Sequence, residues 1–98
     1  MNYKIIPTPP FEKELKRLSK KYKSIKPDLI SLSNKLLSNP MLGVALGNNC
    51  YKIRMTISSK SKGKSAGARI ITHIKIVDEE IFLLAIYDKS EAENISDN

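Results

Sequence analysis

The spacing of the apolar residues changes once along this chain, and that change constrains the fold more than any other feature. Up to residue 36, apolar residues recur every three or four positions, which is the period of one face of an α-helix. Two such stretches follow each other: Phe11, Leu15, Leu18 and Tyr22, then Ile25, Leu29, Leu32 and Leu36. Residues 51–58 instead alternate between apolar and polar, as they do in a strand with one buried face, and residues 81–87 form a short apolar run that also indicates a strand. The chain therefore predicts helices first and a sheet afterwards.

Cap and turn residues divide these stretches into elements. Thr8-Pro9 is typical of a helix start, and Asn39-Pro40 ends the second helix. The predicted strands lie at residues 3–7, 51–58, 69–76 and 81–87, and residues 88–98 are polar with a possible short C-terminal helix. We expect one α+β domain spanning residues 1–98, in the order β-α-α-β-β-β. Its N-terminal helical hairpin would pack on one face of an antiparallel sheet.

Composition indicates a soluble protein of a reducing compartment. The chain is 41% hydrophobic and 28% charged, which is typical of a folded globular domain. No apolar run approaches the roughly 20 residues that span a bilayer, and the N-terminus lacks the apolar core of a signal peptide. The single cysteine, Cys50, has no partner for an internal disulfide. We therefore expect a cytoplasmic protein that does not associate with membranes.

Positive charge is concentrated in the middle of the chain. Between Asp28 and Asp78 there is no acidic residue, while the net charge of the whole chain is +7. The basic residues of this window are Lys35, Lys52, Arg54, Lys60, Lys62, Lys64, Arg69 and Lys75. Such a concentration of positive charge is expected in a protein that binds a polyanion, most commonly a nucleic acid. A basic face that serves only solubility is the alternative.

Side-chain alternation places part of this charge on one face of the predicted sheet. In the strand from residue 51 the apolar set would pack on the helices, which leaves Lys52 and Arg54 on the open face. The same counting leaves Arg69, His73 and Tyr87 there in the later strands. The inward positions assigned in those strands are Ala68, Ile70, Thr72, Ile74, Ile76, Phe82, Leu84 and Ile86. An arginine fork suits a phosphate, and a tyrosine ring offers a surface on which a base can stack.

The available residue types restrict the chemistry of this face. The chain has one histidine, His73, which excludes a ribonuclease mechanism that needs two. The lack of carboxylates in the basic window disfavours a two-metal nuclease, because such metals require Asp or Glu oxygens. Gly63 and Gly67 flank Lys64 between two strands, so they do not match a nucleotide-hydrolysing phosphate loop. Stabilisation of a charged transition state by fixed cations remains, without metal or cofactor.

Several segments of the chain resemble the RelE/ParE superfamily of bacterial toxins. The segments are FEKELKRL at residues 11–18, YKIR at 51–54, GKSAGARII at 63–71 and LAIYDK at 84–89. They follow the element order of the family over nearly the whole chain and are most similar to its RelE/HigB-like branch. The resemblance implies a toxin encoded beside an antitoxin. Such a toxin enters the ribosomal A site and cuts the bound mRNA through attack of a 2′-hydroxyl on the adjacent phosphate.

The resemblance also assigns roles to individual residues. Arg69 matches the arginine that stabilises the phosphorane-like transition state. Lys52 and Arg54 match the basic pair on the preceding strand, and Tyr87 matches the aromatic residue that orients or stacks on the mRNA. Besides these four catalytic candidates, the expected RNA-binding residues are Lys60, Lys62, Lys64, His73 and Lys89. The base that accepts the 2′-hydroxyl proton is left open between Lys52, Lys64 and His73.

One departure from the family pattern keeps other functions open. RelE-type members have a further arginine on the last strand, where this chain has Leu83 and Ala85. ParE-type members share the fold but inhibit DNA gyrase and cut nothing. A gyrase inhibitor without catalytic activity is therefore one alternative, and an inactive toxin-like scaffold is another. The implied partners are a cognate antitoxin with an acidic segment, the ribosome and mRNA, while the oligomeric state is left open.

Overall fold

The structure, a computed structural model, describes residues 2–60 and 67–95. Within these residues it contains β1 (Lys4–Pro7), α1 (Pro9–Lys21), α2 (Ile25–Ser38), β2 (Val44–Gly47), β3 (Cys50–Met55), β4 (Ala68–Lys75), β5 (Glu80–Asp88) and α3 (Lys89–Ile95). The predicted α+β class, the helical hairpin and the short C-terminal helix are confirmed. In the described part of the chain, every helix is too short or too polar to cross a membrane.

The five strands form one sheet in the order β1-β5-β4-β3-β2. β1 runs parallel to β5, with Lys4 opposite Glu80, and the other neighbouring strands are antiparallel. The sheet is therefore mixed, and the expectation of a purely antiparallel sheet is wrong at one edge. Both helices separate β1 from the rest of the sheet along the chain, so packing and not a hairpin sets its direction.

The strand β2 has no counterpart among the predicted elements. It is joined to β3 by the two-residue turn Asn48-Asn49, whose φ angles are 54° and 61°. Positive φ at both positions is typical of a type I′ turn, which matches the twist of a hairpin, and asparagine tolerates it better than most residues. All four residues of β2 are exposed. The strand therefore lacks the alternating burial by which a sequence reveals a strand.

The core lies between the two long helices and one face of the sheet. Its members are Phe11, Leu18, Ile25, Leu32 and Leu36 from the helices, and Ile53, Met55, Ile57, Ala68, Ile70, Ile81, Leu83 and Ile86 from the sheet and its extension. Thr72 and Ile74 are also buried, as predicted. Ile76 is 49% exposed, so its predicted inward placement is wrong. The reason is that β4 ends at Lys75 and the chain turns immediately after it.

A bulge in β5 changes which of its residues face the helices. Consecutive residues of β4 lie opposite Ala85 and Leu83, so Leu84 is an extra residue in the pairing. The buried apolar residues of β5 are Ile81, Leu83 and Ile86. The inward placement predicted for Phe82 and Leu84 is therefore wrong, while that of Ile86 is confirmed. An uninterrupted apolar run contains no signal for the position of such a bulge.

The start of α1 is attached to β5. Thr8 occupies the N-cap position and is followed by Pro9 and Pro10, which confirms the predicted helix start. The Thr8 hydroxyl does not cap the helix; it donates to the carbonyl of Leu83 at 2.9 Å. The Thr8 backbone N–H donates to the same carbonyl at 3.0 Å. These bonds fix the helical layer against the strand that carries Tyr87.

Candidate functional site

Three of the predicted site residues form one row across the neighbouring strands β3, β4 and β5, near one end of each strand. Arg54 of β3 lies opposite Arg69 of β4, and Arg69 lies opposite Tyr87 of β5. Directly opposed residues on antiparallel strands have Cβ atoms about 4.5–5.5 Å apart, so their side chains are neighbours. The row lies on the face opposite to the helices, because the residues that flank it along each strand are buried in the core.

Lys52 lies on the same face, one row away. It precedes Arg54 by two residues and lies opposite Ile71, which in turn lies opposite Ala85. Diagonal neighbours in an antiparallel sheet are about 7–8 Å apart, within reach of a long side chain. Lys52 and Arg54 are both exposed. The structure thus places the four residues Lys52, Arg54, Arg69 and Tyr87 on the same face of the sheet, which we call the open face.

Arg69 differs from the other cations of the open face by its burial. It is only 5% exposed, and its Nη1 donates to the backbone carbonyl of Ala68 at 3.2 Å. A buried guanidinium is costly unless it is hydrogen-bonded, so this bond also helps to define its orientation. Arg54 beside it is exposed and keeps the rotamer freedom of a surface side chain. The row therefore combines one fixed and one adjustable cation.

His73 lies at the other end of the open face. It is four residues from Arg69 along β4, which corresponds to roughly 13 Å. Its cross-strand neighbours are Cys50 and Phe82, and its Nδ1 is 3.5 Å from the Sγ of Cys50. The structure does not bring His73 to the two arginines. Of the candidate bases that it describes, Lys52 is the one beside them.

Lys60 lies in a cluster around a buried carboxylate that the sequence analysis did not identify. Its Nζ is 3.1 Å from Oδ1 of Asp88 and 3.2 Å from Oγ of Ser90. The same Nζ lies 5.1 Å from the centre of the Tyr22 ring, and the Tyr22 hydroxyl donates to the other oxygen of Asp88. Asp88 is completely buried. Lys60 therefore joins the chain after β3 to the start of α3.

The surroundings of Asp88 keep the cluster ionised. Burial alone would raise the pKa of Asp88, but hydrogen bonds from Tyr22, Ser90 and Lys60 lower it well below its usual value. Burial opposes the charge of Lys60 as well, yet its bonds to Asp88 and Tyr22 raise the pKa of Lys60. One signal for this cluster was present in the sequence: Asp88 follows Ile86 by two residues and so continues the inward-facing set.

Side-chain ion pairs and a backbone hydrogen bond attach the helix α3 to the rest of the protein. Glu91 accepts hydrogen bonds from Arg17 at 2.6 Å and from Lys21 at 2.9 Å, both on α1. The backbone N–H of Lys89 donates to the carbonyl of Gly67 at 3.1 Å. Lys89, one of the expected RNA contacts, therefore begins α3 next to the residue that precedes β4.

The remaining expected contacts, Lys62 and Lys64, lie outside the described residues, as does Gly63. Within residues 2–60 and 67–92, no three His, Cys, Asp or Glu side chains are close enough to hold a metal ion. Lys52 and Arg54 form no ion pair with any residue of those ranges. The open face therefore presents cations whose charge is available to an anionic group.

No family model matches the chain. Among solved structures, the chain is similar to a mutant of the E. coli toxin RelE in the free state, with a TM-score of 0.70 and 18% identity; the match covers 98% of this chain and 93% of that chain. It is also similar to the intact E. coli RelBE toxin-antitoxin complex, with a TM-score of 0.67 and 18% identity, over 90% of this chain and 96% of that one. These similarities show that the chain has the RelE-like fold expected from its sequence.

Proposed function

We propose that this chain is the toxin of a toxin–antitoxin module and that it cleaves mRNA in the ribosomal A site. The likeness in fold to RelE and to the RelBE toxin-antitoxin complex supports the first part of the proposal. The row Arg54–Arg69–Tyr87, with Lys52 beside it, supports the second part and is the observation that carries it. This row combines cations with an aromatic ring, which are suited to a phosphate and to the base next to it.

The proposed reaction is an internal displacement within the RNA strand. The 2′-oxygen attacks the adjacent phosphorus, and the bond from that phosphorus to the 5′-oxygen of the next nucleotide breaks. The products are a 2′,3′-cyclic phosphate and a 5′-hydroxyl. Lys52, which lies beside the two arginines, is the candidate base for the 2′-hydroxyl proton, and the leaving 5′-oxygen takes up a proton from the protonated base or from water. No metal ion or cofactor takes part in this scheme.

The two arginines suit different tasks because their exposure differs. Negative charge builds up on the non-bridging oxygens of phosphorus in the transition state, and a guanidinium placed there beforehand stabilises it without reorganisation. Arg69, which is buried and hydrogen-bonded, fits that role. Arg54 is exposed, so its side chain can move to contact the same phosphate. The half-buried ring of Tyr87 offers a stacking surface, a contact that contributes about 1–3 kcal/mol per base.

Inducible expression in a bacterium, followed by mapping of mRNA 5′ ends, tests this function. The wild type should arrest growth and leave cuts in translated messages. Arg54→Ala should lose the cuts and keep its fold, because Arg54 is exposed. Arg69→Ala should lose them too, and its thermal stability is measured in parallel because the position is buried. Lys26→Ala removes an exposed lysine of α2 as a matched control. Unchanged cutting by Arg54→Ala and Arg69→Ala, or equal loss in the control, would contradict the assignment.

A DNA gyrase inhibitor without catalytic activity is the second candidate, and one observation favours it. β5 brings no cation to the open face, since Leu83 is buried and Ala85 lies opposite Ile71. Growth arrest with intact messages and a DNA-damage response would support this candidate over mRNA cleavage. Harmless expression without an antitoxin would instead indicate an inactive scaffold.

An antitoxin partner follows from the proposal. The segment that covers the open face would be acidic, because Lys52 and Arg54 there are exposed and lack ion pairs within the described residues. Co-expression of the cognate antitoxin should restore growth. Association of the purified proteins should become slower at high salt in the wild type, and this dependence should be weaker in Arg54→Ala.

A further inference from the structure

A groove beside the open face extends the basic surface toward α2. Two adjoining clefts of about 480 Å³ and 330 Å³ lie between α2 and β3. Both are lined by Leu32 and Lys35 of α2 and by Arg54 of β3, so they form one groove. β2 pairs with β3 only as far as Lys52, and the groove lies along β3 from there onward. Arg54 belongs both to this groove and to the row that contains Arg69.

The charge in the groove is predominantly positive. Its cations, all of them exposed, are Lys35, Lys52 and Arg54. None of the three forms an ion pair within residues 2–60 and 67–92. This arrangement attracts an anion into the part of the groove where the two clefts meet, because Lys35 and Arg54 line both of them.

The one carboxylate of the lining, Asp28, belongs only to the larger cleft. It accepts hydrogen bonds from the Ser24 hydroxyl at 2.8 Å and from the backbone N–H and the hydroxyl of Ser58. Burial opposes its charge, but these bonds lower the pKa of Asp28 below its usual value. It therefore stays anionic and marks the end of the groove that a polyanion would avoid.

The smaller cleft adds an aliphatic wall to these cations. Leu42, Val44 and Ile53 line it, and Val44 is 65% exposed. The wall is held closely against β3, because a Cβ on Gly43 would lie 2.4 Å from the carbonyl oxygen of Lys52. An apolar wall next to cations fits a nucleotide, whose phosphate meets the charges while the face of its base packs against carbon.

We propose that this groove is a second phosphate subsite, in which Lys35 and Arg54 bind the backbone of single-stranded RNA beyond the reacting phosphate. The inference rests on the proposed function, because it takes the open face as the RNA-binding surface. RNA would run from Tyr87 across Arg69 and Arg54, round the edge of β3 and into the groove. Lys35 is a positioning residue, since it lies on α2 and does not contact the reacting phosphate.

Binding of fluorescently labelled single-stranded RNA, measured by anisotropy over a series of salt concentrations, tests the subsite. With an RNA of about 12 nucleotides, Lys35→Ala should bind several-fold more weakly, and its slope of log K against log salt should be about 0.7 smaller. That difference corresponds to one phosphate contact on a single strand. Lys26→Ala should match the wild type in affinity and in slope. A Lys35→Ala slope equal to that of the wild type overturns the inference.

The outcomes separate the subsite from the proposed reaction. If message cutting depends on Arg54 while Lys35→Ala binds RNA as the wild type does, the subsite is wrong and the reaction stands. If Lys35-dependent RNA binding occurs without any cutting, the reaction is wrong and the subsite stands. A glutamate-rich peptide is the rival occupant. Lys35-dependent binding of that peptide, with no binding of the RNA, would overturn the inference.

Discussion

Replacement of Asp88 by alanine should destabilise this protein far more than loss of a surface charge. The carboxylate is completely buried and accepts hydrogen bonds from Tyr22, Lys60 and Ser90. Alanine would remove the carboxylate that Lys60 contacts at 3.1 Å, and the Lys60 side chain is only 15% exposed. Removal of one partner from a buried ion pair costs about 3–5 kcal/mol. Because Lys60 keeps some contact with water, we expect a loss of about 3 kcal/mol in the free energy of unfolding.

Urea unfolding followed by circular dichroism measures this loss, and thermal unfolding gives a second readout. For a domain of this size, Tm falls by about 4–8 °C per kcal/mol, so a decrease of roughly 12–24 °C is expected. Asp78→Ala is the matched control, since Asp78 forms an exposed ion pair with Lys75 at 3.0 Å. Its effect should stay below about 1 kcal/mol. An Asp88→Ala protein within about 0.5 kcal/mol of the wild type would refute the role of the cluster.

Three further predictions concern the stability of the protein in acid, the replacement of Gly43 by alanine and the replacement of Arg54 by lysine. Folding lowers the pKa of Asp88. The contribution of Asp88 to the free energy of unfolding is therefore complete above the pKa of the unfolded chain, about 3.9, and is lost as the pH falls through the pKa of the folded protein. The urea midpoint should therefore drop in acid below about pH 4, and the drop should be smaller in Asp88→Asn. Gly43→Ala should cost about 1–3 kcal/mol, measured by thermal shift, because φ is 103° and the added Cβ meets the Lys52 carbonyl. Gly47→Ala should cost less, since its φ is 90° but the space around it is open. Arg54→Lys keeps the charge but loses the planar fork, so message cutting should fall to a level between wild type and Arg54→Ala.

The helical hairpin and much of the sheet could be predicted because burial there is periodic. Phe11 and Leu18 in α1, and Ile53 and Met55 in β3, are buried as their spacing predicts. In a strand, fixing the inward side also fixes the outward side, and this is how the sequence places Arg54 on the open face. Prediction from spacing succeeds where one face of an element is in contact with the core.

Other features depend on contacts that no local pattern contains. β2 is exposed along its whole length, so its pairing with β3 leaves no periodic signal. The bulge at Leu84 lies in an apolar run in which either face could be inward. Tyr87 follows the bulge and keeps its predicted side, whereas Phe82 precedes it and does not. The spacing from Ile86 indicates that Asp88 points inward, but its partners lie 66 and 28 residues away in sequence, so its neighbours do not reveal which side chains bind it.

Cleavage of mRNA during translation in vitro, in a system assembled from purified ribosomes and factors, tests the central claim most directly. Primer extension would locate cuts made by the wild type, by Arg54→Ala and by the control Lys26→Ala. The account predicts cuts within the A-site codon by the wild type and the control, with a 2′,3′-cyclic phosphate on the upstream fragment, and none by Arg54→Ala. Intact mRNA with all three proteins, or cutting by Arg54→Ala at the wild-type rate, would contradict it.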